Sequence, residues 1–338
     1  MLLWLGREVA FHPRGYYRLG LSLAKRWRLT LWGRTFSALQ IEGPLAEQIH
    51  LSTWEKLTSV PSSPLSLEIR FLDREPSLPS LFSAQPIFLC NPADLWRAIF
   101  HPTALWDVWE DYPKNFRYDP TYSLWQRVKR TLQWYLLYPL RLLPKGYTLA
   151  EYTYAPSYPL SKSLFLPNAF VSVENEPPLL PNLTHSYALY TGNLTESWGV
   201  LAVVEEALKF PQTPLVIAGS LKSSRIESLL RSALKNHKQW LWIYSRFVPY
   251  PVLQNLQRYS KLLYAFYQPL PHLRDKVPGK FYEAAALGIP LRYNEGKSSV
   301  WDAFWRRYKH ASTAPELYWC HYEVELWKWL ESLFNEIG

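Results

Sequence analysis

The sequence is poor in cysteine and in charged residues. Cys90 and Cys320 are its two cysteines, too few for a disulfide framework or a cysteine zinc site. Charged side chains make up 19% of the 338 residues, below the roughly 25% that is typical of soluble domains. Because hydrophobic residues reach 48%, disorder and coiled coil are poor fits, and the composition predicts a globular protein.

Long hydrophobic runs and targeting signals are also lacking. Met1 to Leu5 is a short apolar run that ends at Gly6, without a long hydrophobic region or a small-residue cleavage site. The longest uncharged stretches are interrupted by proline and polar residues, so none has the about 20 apolar residues of a transmembrane helix. We therefore expect a cytoplasmic protein, either free or peripheral at the inner membrane surface.

Several motifs of metal, hydrolytic and nucleic-acid chemistry are absent. The eight histidines include no His-x-x-x-His pair, and the chain has no Asp-x-Asp, so we expect no metal. No Gly-x-Ser-x-Gly nucleophile elbow occurs, which argues against a serine hydrolase. The net charge of +9 comes from scattered Lys and Arg without a nucleic-acid-binding motif, and it therefore favours an anionic small molecule or lipid over nucleic acid.

The sequence does contain a regular alternation of short apolar runs and helical patterns. Leu2 to Leu5, Tyr16 to Arg26 and Leu29 to Trp32 predict strand, helix and strand, and the same rhythm returns from Tyr187 to Leu291. Such alternation is typical of parallel sheets with helices on both faces. With the proline-rich stretch from Pro167 to Pro181 as a boundary, we expect an α/β protein of two doubly wound domains facing a ligand cleft.

Residues 275–290, DKVPGKFYEAAALGIP, carry the most informative chemistry. Pro278 is well placed at a helix start, and the first-turn amides together with Lys280 form a natural anion site. Gly279 permits close approach of the backbone, and Glu283 lies one turn further, where a carboxylate can accept two hydrogen bonds from a diol. The alternative is a plain capped helix with Lys280 and Glu283 as an exposed pair.

This segment resembles the signature Pro-x-Lys-(Leu/Phe)-(Phe/Tyr)-Glu-Tyr-x-Ala-x-Gly-x-Pro of GT-B glycosyltransferases, in the large retaining, family 4-like class that uses nucleotide sugars. Five further segments resemble motifs of the same family in the same order: His12-Pro13-Arg14, Trp106–Pro113, Leu166–Ala169, Tyr190–Asn193 and Leu215–Gly219. The resemblance implies the GT-B architecture, with a Rossmann-like acceptor domain at residues 1–172 and a Rossmann-like donor domain at 173–310. Residues 311–338 are expected to form helices that cross back to the first domain.

The resemblance also implies roles on the donor side. Glu283 matches the glutamate that holds the ribose hydroxyls, and Asp275 matches an acid beside the donor sugar, which is usually Glu. The residues expected to meet the diphosphate lie on two sides of it: Gly279 and Lys280 on one, Gly192 and Asn193 on the other.

The first departure from the family pattern concerns the leaving group. Many relatives carry an Arg and a Lys in the segment that matches Asn193 to Gly199, but this chain has neither there. Lys280, with Arg246, Arg274 or Lys276 as a further candidate beside it, must then neutralise the leaving diphosphate, because its charge needs cationic or amide partners.

The second departure is Trp109, which stands where the family has a His that faces the acceptor and the donor sugar. Glu110 and Asp111 remain as candidates to orient an acceptor hydroxyl, with helix capping as the alternative. Arg14 joins Trp109 among the expected acceptor-side residues.

The sequence therefore predicts a glycosyltransferase that moves a sugar from a nucleotide diphosphate sugar to a glycan or lipid-linked acceptor. Retention comes from the family, no cofactor besides the donor and no metal are expected, and the implied setting is bacterial surface polysaccharide or glycoconjugate synthesis. The alternative is a GT-B-like binding or scaffold protein that has lost catalysis.

One further segment is amphipathic. Apolar residues recur at helical spacing between residues 124 and 143, among basic side chains and rings: Leu124, Val128, Leu132, Tyr135 and Leu136, with Arg127, Lys129, Arg130, Arg141 and Lys145, and with Trp125, Trp134 and Tyr138. Such a stripe predicts peripheral docking on an anionic membrane or, alternatively, a helix whose apolar face is core.

Overall fold

The computed structural model describes residues 1–35, 38–61, 63–71 and 86–335, and the chain forms two compact units. The first unit comprises Met1–Thr35, Ser62–Val171 and Tyr318–Gly338, and the second comprises Phe36–Pro61 and Ser172–Leu317. One of the points at which the chain passes between the units, from Val171 to Ser172, lies within the proline-rich stretch. The structure differs from the expected first domain, residues 1–172, because a short strand between residues 40 and 42 pairs with a strand of the second unit.

Strands account for the apolar runs of both units. In chain order they are β1 Leu2–Val9, β2 Leu29–Arg34, β3 Gln40–Glu42, β4 Leu67–Phe71, β5 Ile87–Leu89, β6 Ala104–Val108, β7 Gly146–Leu149, β8 Ser163–Phe165, β9 Ala188–Leu194, β10 Leu215–Leu221, β11 Trp240–Ser245, β12 Leu262–Ala265 and β13 Leu291–Tyr293.

The helices of the described residues follow the amphipathic patterns. They are α1 Leu21–Ala24, α2 Leu51–Thr58, α3 Tyr112–Tyr118, α4 Leu124–Leu137, α5 Val200–Leu208, α6 Ser224–Asn236, α7 Tyr250–Arg258, α8 Gly279–Leu287, α9 Ser299–Tyr308 and α10 Cys320–Asn335. A short π-helix, Pro13–Gly20, leads directly into α1. Within the described part of the chain, no helix combines the length and apolar character needed to cross a membrane.

Each unit is built on its own sheet. The first has the order β4-β2-β1-β5-β6-β7-β8, and all its pairings are parallel. The second has the order β13-β12-β9-β10-β11-β3, in which β3 alone runs antiparallel. The strands β5, β6, β7 and β11 are buried along their whole length, as expected where both faces of a sheet are covered. The predicted α/β architecture with two parallel sheets is confirmed.

The C-terminal helix α10 is fastened to the first unit by a buried polar cluster. Glu323 accepts hydrogen bonds from Ser22 Oγ at 2.7 Å and from Lys25 Nζ at 2.6 Å. Trp319 donates from Nε1 to the same Ser22 hydroxyl at 2.7 Å. The start of α10 and the residue before it therefore pack against Ser22 and Lys25, near the N-terminal end of the chain.

Gly199 allows the tight corner between β9 and α5. Its φ is +78°, in the left-handed region, and a Cβ there would lie 1.3 Å from the carbonyl oxygen of Phe266. Since that contact is with backbone, no side-chain rotation can relieve it. Only glycine fits this position without displacing the chain that follows β12.

We expect Gly199→Ala to lower the free energy of unfolding by about 2–5 kcal/mol, because it adds a steric clash to the left-handed strain. Gly288→Ala is the matched control, since Gly288 has φ +66° and no atom lies within 4 Å of the position that a Cβ would take there. The control should lose only about 1–2 kcal/mol. Urea denaturation measures both, and equal losses would contradict the close approach at Gly199.

Candidate functional site

Both sheets have a strand order that defines where a ligand binds. The order reverses between β1 and β5 in the first sheet, and between β9 and β12 in the second. Open parallel sheets bind ligands beyond the carboxyl ends of their strands at such a switch point. Candidate residues in each unit therefore lie just after these strands.

In the second unit, the end of β9 meets the start of α8. Gly192, with φ +118°, lies near the end of β9, and a Cβ there would lie 3.4 Å from both Cε and Nζ of Lys280. Lys280 belongs to the first turn of α8, which follows Pro278 at the N-cap. The structure thus brings together two segments that lie far apart in the sequence.

The ammonium of Lys280 is surrounded by aromatic rings. Its Nζ lies 3.9 Å from the ring centroid of Tyr190, 4.9 Å from that of Tyr267 and 5.9 Å from that of Trp198. Lys280 is 5% exposed, and among the described residues no acceptor lies within hydrogen-bonding distance of Nζ. We call Tyr190, Trp198 and Tyr267 the aromatic cage; their ring faces attract the cation but accept no strong hydrogen bond.

Burial in this cage lowers the pKa of Lys280 to about 7, and the neighbouring Glu283 carboxylate opposes the shift. Desolvation disfavours the charged form of a lysine. The side chain is therefore close to half protonated at neutral pH. The exposed Lys280–Glu283 pair of a plain surface helix, considered as an alternative from the sequence, is wrong because both side chains are buried.

Glu283 lies one turn along α8 and is held by a glutamine. Gln257 on α7 donates from Nε2 to Glu283 Oε2 at 2.7 Å and to Thr191 Oγ1 at 3.2 Å. Thr191 precedes Gly192 on β9, so the amide ties the carboxylate to the same strand end as Lys280. A single carboxylate and a single ammonium thus lie on one helix face at the switch point.

Tyr190 of the aromatic cage also fixes the loop after β9. The hydroxyl of Tyr190 lies 2.8 Å from the carbonyl oxygen of Asn193 and 3.0 Å from that of Trp198. Its ring therefore faces Lys280 while its hydroxyl holds both ends of the loop.

The other residues that the sequence predicts on the donor side lie at the same sheet edge or just before and at the start of α8. Arg246 is exposed and directly follows β11. The last residue of β11, Ser245, pairs with Ser220 of β10, which in turn pairs with Asn193 of β9, so Arg246 lies at the same edge of the sheet as the end of β9. Asp275 is partly exposed and pairs with the adjacent Arg274, Nε to Oδ1, at 3.2 Å. Gly279 is the first residue of α8.

In the first unit, a buried ion pair gathers three of the sequence motifs. Arg14 donates from Nε to Asp107 Oδ2 at 2.8 Å and from a terminal nitrogen to Oδ1 at 2.7 Å. Its other terminal nitrogen donates to the carbonyl oxygen of Leu166 at 2.9 Å and to Asn168 Oδ1 at 3.2 Å. Arg14 and Asp107 are 2% and 0% exposed. Arg14 therefore positions the segments around Asp107 and Leu166, and its expected place on the acceptor side stays a prediction.

Asp107 is also the partner of Trp109. The indole Nε1 of Trp109 and the hydroxyl of Thr148 both donate to the Asp107 carboxylate. The Trp109 ring stacks on His12, with centroids 4.3 Å apart and planes 6° apart. Trp109 therefore occupies a fixed position after β6, with its N–H directed into the protein.

The two carboxylates after Trp109 differ in their contacts. Asp111 caps α3, accepting from the backbone N–H of Lys114 at 3.2 Å, and it pairs with the Lys114 ammonium at 3.1 Å. Glu110 accepts from Asn115 Nδ2 at 3.4 Å. The capping alternative thus describes Asp111 better than Glu110.

Sequence reasoning missed Asp107, Arg18, Gln257 and the aromatic cage. Asp107 had a signal, because it is the one charge in the otherwise apolar strand ALWDV and charges are seldom buried unpaired. Arg18, four residues after Arg14, donates to the carbonyl oxygen of Ala169 at 2.7 Å, and their spacing places both on one helix face. Gln257 and the cage have no local signal, since their members come from separate elements.

We expect Lys280→Met to stabilise the protein when no nucleotide is present. The unfolded chain keeps the ordinary lysine pKa of 10.5 while the folded pKa is about 7, so the unfolded state binds more protons between these values and the stability of the wild type rises with pH across them. The gain of the variant should be about 1 kcal/mol or more at pH 6 and should shrink towards pH 10. Urea denaturation at several pH values measures it, and a pH-independent difference would contradict the buried ammonium.

Comparison with known proteins gives matches in structure only. No protein-family model matches the sequence, and no curated protein matches it either. An α,α-trehalose 6-phosphate synthase from Burkholderia multivorans is similar over 100% of this chain and 99% of that chain, with TM-score 0.55 and 9% identity. The catalytic domain of starch synthase IV from Arabidopsis thaliana, bound to ADP and acarbose, covers 98% of this chain and 99% of its own, with TM-score 0.55 and 9% identity.

A third similar structure is a UDP-N-acetylglucosamine 2-epimerase from Rickettsia bellii, with TM-score 0.50, 9% identity and coverage of 100% of this chain and 98% of that chain. At such identities the likeness establishes the fold. It extends over both units, each with its own Rossmann-like sheet, and the chain therefore has the GT-B fold that the sequence motifs predict.

Proposed function

We propose that the protein transfers a sugar from a nucleoside diphosphate sugar to a glycan or lipid-linked acceptor. The observation that carries the proposal is the Lys280 ammonium, which is buried beside Gly192 at the switch point of the second sheet without a hydrogen-bond acceptor among the described residues. A cation at the place where such sheets bind ligands suits an anionic ligand. The Glu283 carboxylate on the same helix suits a diol, so the pair suits a phosphate joined to a ribose.

Lys280 takes the role of the missing basic pair at residues 193–199. Its flexible four-carbon stem allows the ammonium to turn out of the aromatic cage towards a diphosphate that lies against the first-turn amides of α8. Negative charge grows on the leaving diphosphate as the bond to the sugar breaks. A cation that moves towards this charge stabilises the transition state more than the ground state.

Glu283 is assigned to the ribose hydroxyls of the donor. Gln257 fixes its Oε2 from one side, which sets the carboxylate in a single orientation before the donor binds. Preorganised acceptors of this kind reduce the ordering that binding requires. Asn193 and Gly279 line the phosphate path, and Arg246 lies at the same sheet edge as a second cation.

The acceptor side is assigned to the first unit. Trp109 offers a ring held by His12 and Asp107, and a fixed aromatic ring is a common surface for stacking a sugar. Glu110 is the preferred group to orient the acceptor hydroxyl, since Asp111 caps α3. Asp275 stays assigned to the donor sugar.

Retention, metal independence, the class of donor and acceptor and the biological setting are inferred from the family resemblance and from the structurally similar proteins. Retention follows the resemblance, and metal independence follows from giving the leaving-group charge to Lys280 and the helix amides. The trehalose phosphate synthase and the starch synthase with ADP and acarbose support a nucleotide-sugar donor and a glycan acceptor. The proposed setting is bacterial surface polysaccharide or glycoconjugate synthesis.

We expect Glu283→Gln to weaken binding of the preferred nucleoside diphosphate about tenfold or more, because it removes charged hydrogen bonds worth roughly 1.5–3 kcal/mol each. A calorimetric titration with a panel of ADP, GDP, UDP and CDP measures the affinity. Glu205→Gln, on the exposed side of α5, is the control and should bind as the wild type does. Equal affinities of the wild type and Glu283→Gln for the nucleoside diphosphate would contradict the assignment of the donor site to α8.

Release of the nucleoside diphosphate from the matching nucleotide sugar separates an enzyme from a scaffold. Turnover by the wild type that is lost in Lys280→Met supports the proposed role of the ammonium. Tight nucleotide binding without any turnover would favour the alternative function, a binding or scaffold protein without catalysis. The tryptophan at position 109, in place of a histidine, suggests this alternative.

A further inference from the structure

The apolar stripe of α4 faces solvent rather than the core. Six large side chains of the helix are exposed, including Trp125 at 76% and Leu136 at 80%; the others are Leu124, Val128, Leu132 and Tyr135. The one side chain that α4 buries is Trp134, at 2%. The sequence alternative that this stripe packs into the first domain is therefore wrong, because the helix presents the opposite face to the sheet.

The exposed residues form one continuous face. At about 100° per residue, the six side chains fall within an arc of about 120° on the helix. The face continues past the end of α4 through Leu142 and Leu143, which are also exposed. Two further exposed apolar side chains are Ile99, the last residue of the helical turn Pro92–Ile99 that packs against α4, and Phe100, which follows it. We call these ten residues the α4 apolar face.

Positive charge is concentrated around this face. Residues 124–145, from the start of α4, contain five basic side chains and no acidic one. They thus contribute five of the nine net positive charges of the whole chain. Arg127 and Lys129 flank the apolar arc on α4, while Arg141 and Lys145 follow it.

We propose that the α4 apolar face docks on the surface of an anionic lipid bilayer. Leucine, tryptophan and tyrosine side chains beside lysine and arginine match the boundary between acyl chains and charged headgroups. Basic residues near the surface gain attraction from acidic lipids. A second copy of this chain is a poor occupant, since it would bring two strongly positive faces together.

The docking face is fixed to the proposed acceptor side of the same unit. Trp134 packs against Tyr112 and Phe116 of α3, with ring centroids 5.8 and 6.5 Å apart. The helix α3 starts directly after Asp111, which follows Glu110 and Trp109. If the proposed function holds, a lipid-linked acceptor is then presented to the unit that lies on the membrane.

Co-sedimentation with vesicles tests the docking. Vesicles of phosphatidylcholine with about 30% phosphatidylglycerol are compared with pure phosphatidylcholine, at low and at high salt. We expect binding to the anionic vesicles at low salt and at least a tenfold weaker partition coefficient for the neutral ones. The double substitution Leu132→Gln and Leu136→Gln should weaken binding to anionic vesicles at least tenfold, and Lys129→Glu should weaken it and reduce its salt dependence.

The matched control replaces exposed apolar residues of the second unit, Leu208→Gln and Phe210→Gln, which leave the α4 apolar face intact. This control should bind vesicles as the wild type does, and circular dichroism should show the same melting temperature for Leu132→Gln/Leu136→Gln as for the wild type. Failure of the wild type to bind anionic vesicles, or equal binding by both double variants, would overturn the proposal. A dimer in light scattering that the α4 substitutions dissociate, without vesicle binding, would assign the face to self-association instead. Because the assay uses neither donor nor acceptor, its outcome is independent of sugar transfer.

Discussion

Desolvation of the Lys280 ammonium is the constraint on which the second unit's site depends. A buried cation without a hydrogen-bonded counter-ion is unfavourable. Among the described residues, this one is stabilised by three ring faces and by the Glu283 carboxylate nearby. The same Tyr190 that faces the ammonium fastens the loop after β9, and Gly192 leaves room for the lysine. The cage therefore couples the position of the loop, the start of α8 and the charge state of the lysine. Such a costly arrangement is typical of residues retained for function rather than stability.

In the first unit, by contrast, the buried carboxylate of Asp107 is paired with a cation and with two further donors. Asp107 accepts from Arg14, Trp109 and Thr148, and Arg14 also binds the segment around Leu166. Breaking such a pair leaves an uncompensated charge and typically costs about 3–5 kcal/mol. The Arg14–Asp107 pair thus connects chain segments after β1, β6 and β8, and its carboxylate also holds the Trp109 ring. The buried charge of the first unit is thus held by hydrogen bonds on several sides, whereas the Lys280 ammonium of the second unit has no hydrogen-bond acceptor among the described residues.

The sequence predicted the sheets and the helix α8 because each depends on local pattern: apolar runs, helical spacing, and proline and glycine at the ends of α8. It did not predict that β3 joins the second sheet, since three residues, Gln40–Glu42, carry no periodicity of their own. It also left the orientation of α4 open, because apolar spacing defines a face but not what covers it. The aromatic cage could not be predicted from the sequence for a similar reason. Tyr190 lies on β9 and Tyr267 on the loop after β12, and it is the strand order that places both beside Lys280.

Proton uptake on nucleotide binding tests the central claim most directly. At pH 8 most of the free protein carries a neutral Lys280, because its pKa is about 7, and a diphosphate should restore the charge. Calorimetric titration of the preferred nucleoside diphosphate in two buffers of different ionisation enthalpy measures the protons exchanged. We expect the wild type to take up about one proton when the nucleoside diphosphate binds, and Lys280→Met to take up close to none. Equal uptake by the two proteins would show that the Lys280 ammonium does not meet the diphosphate.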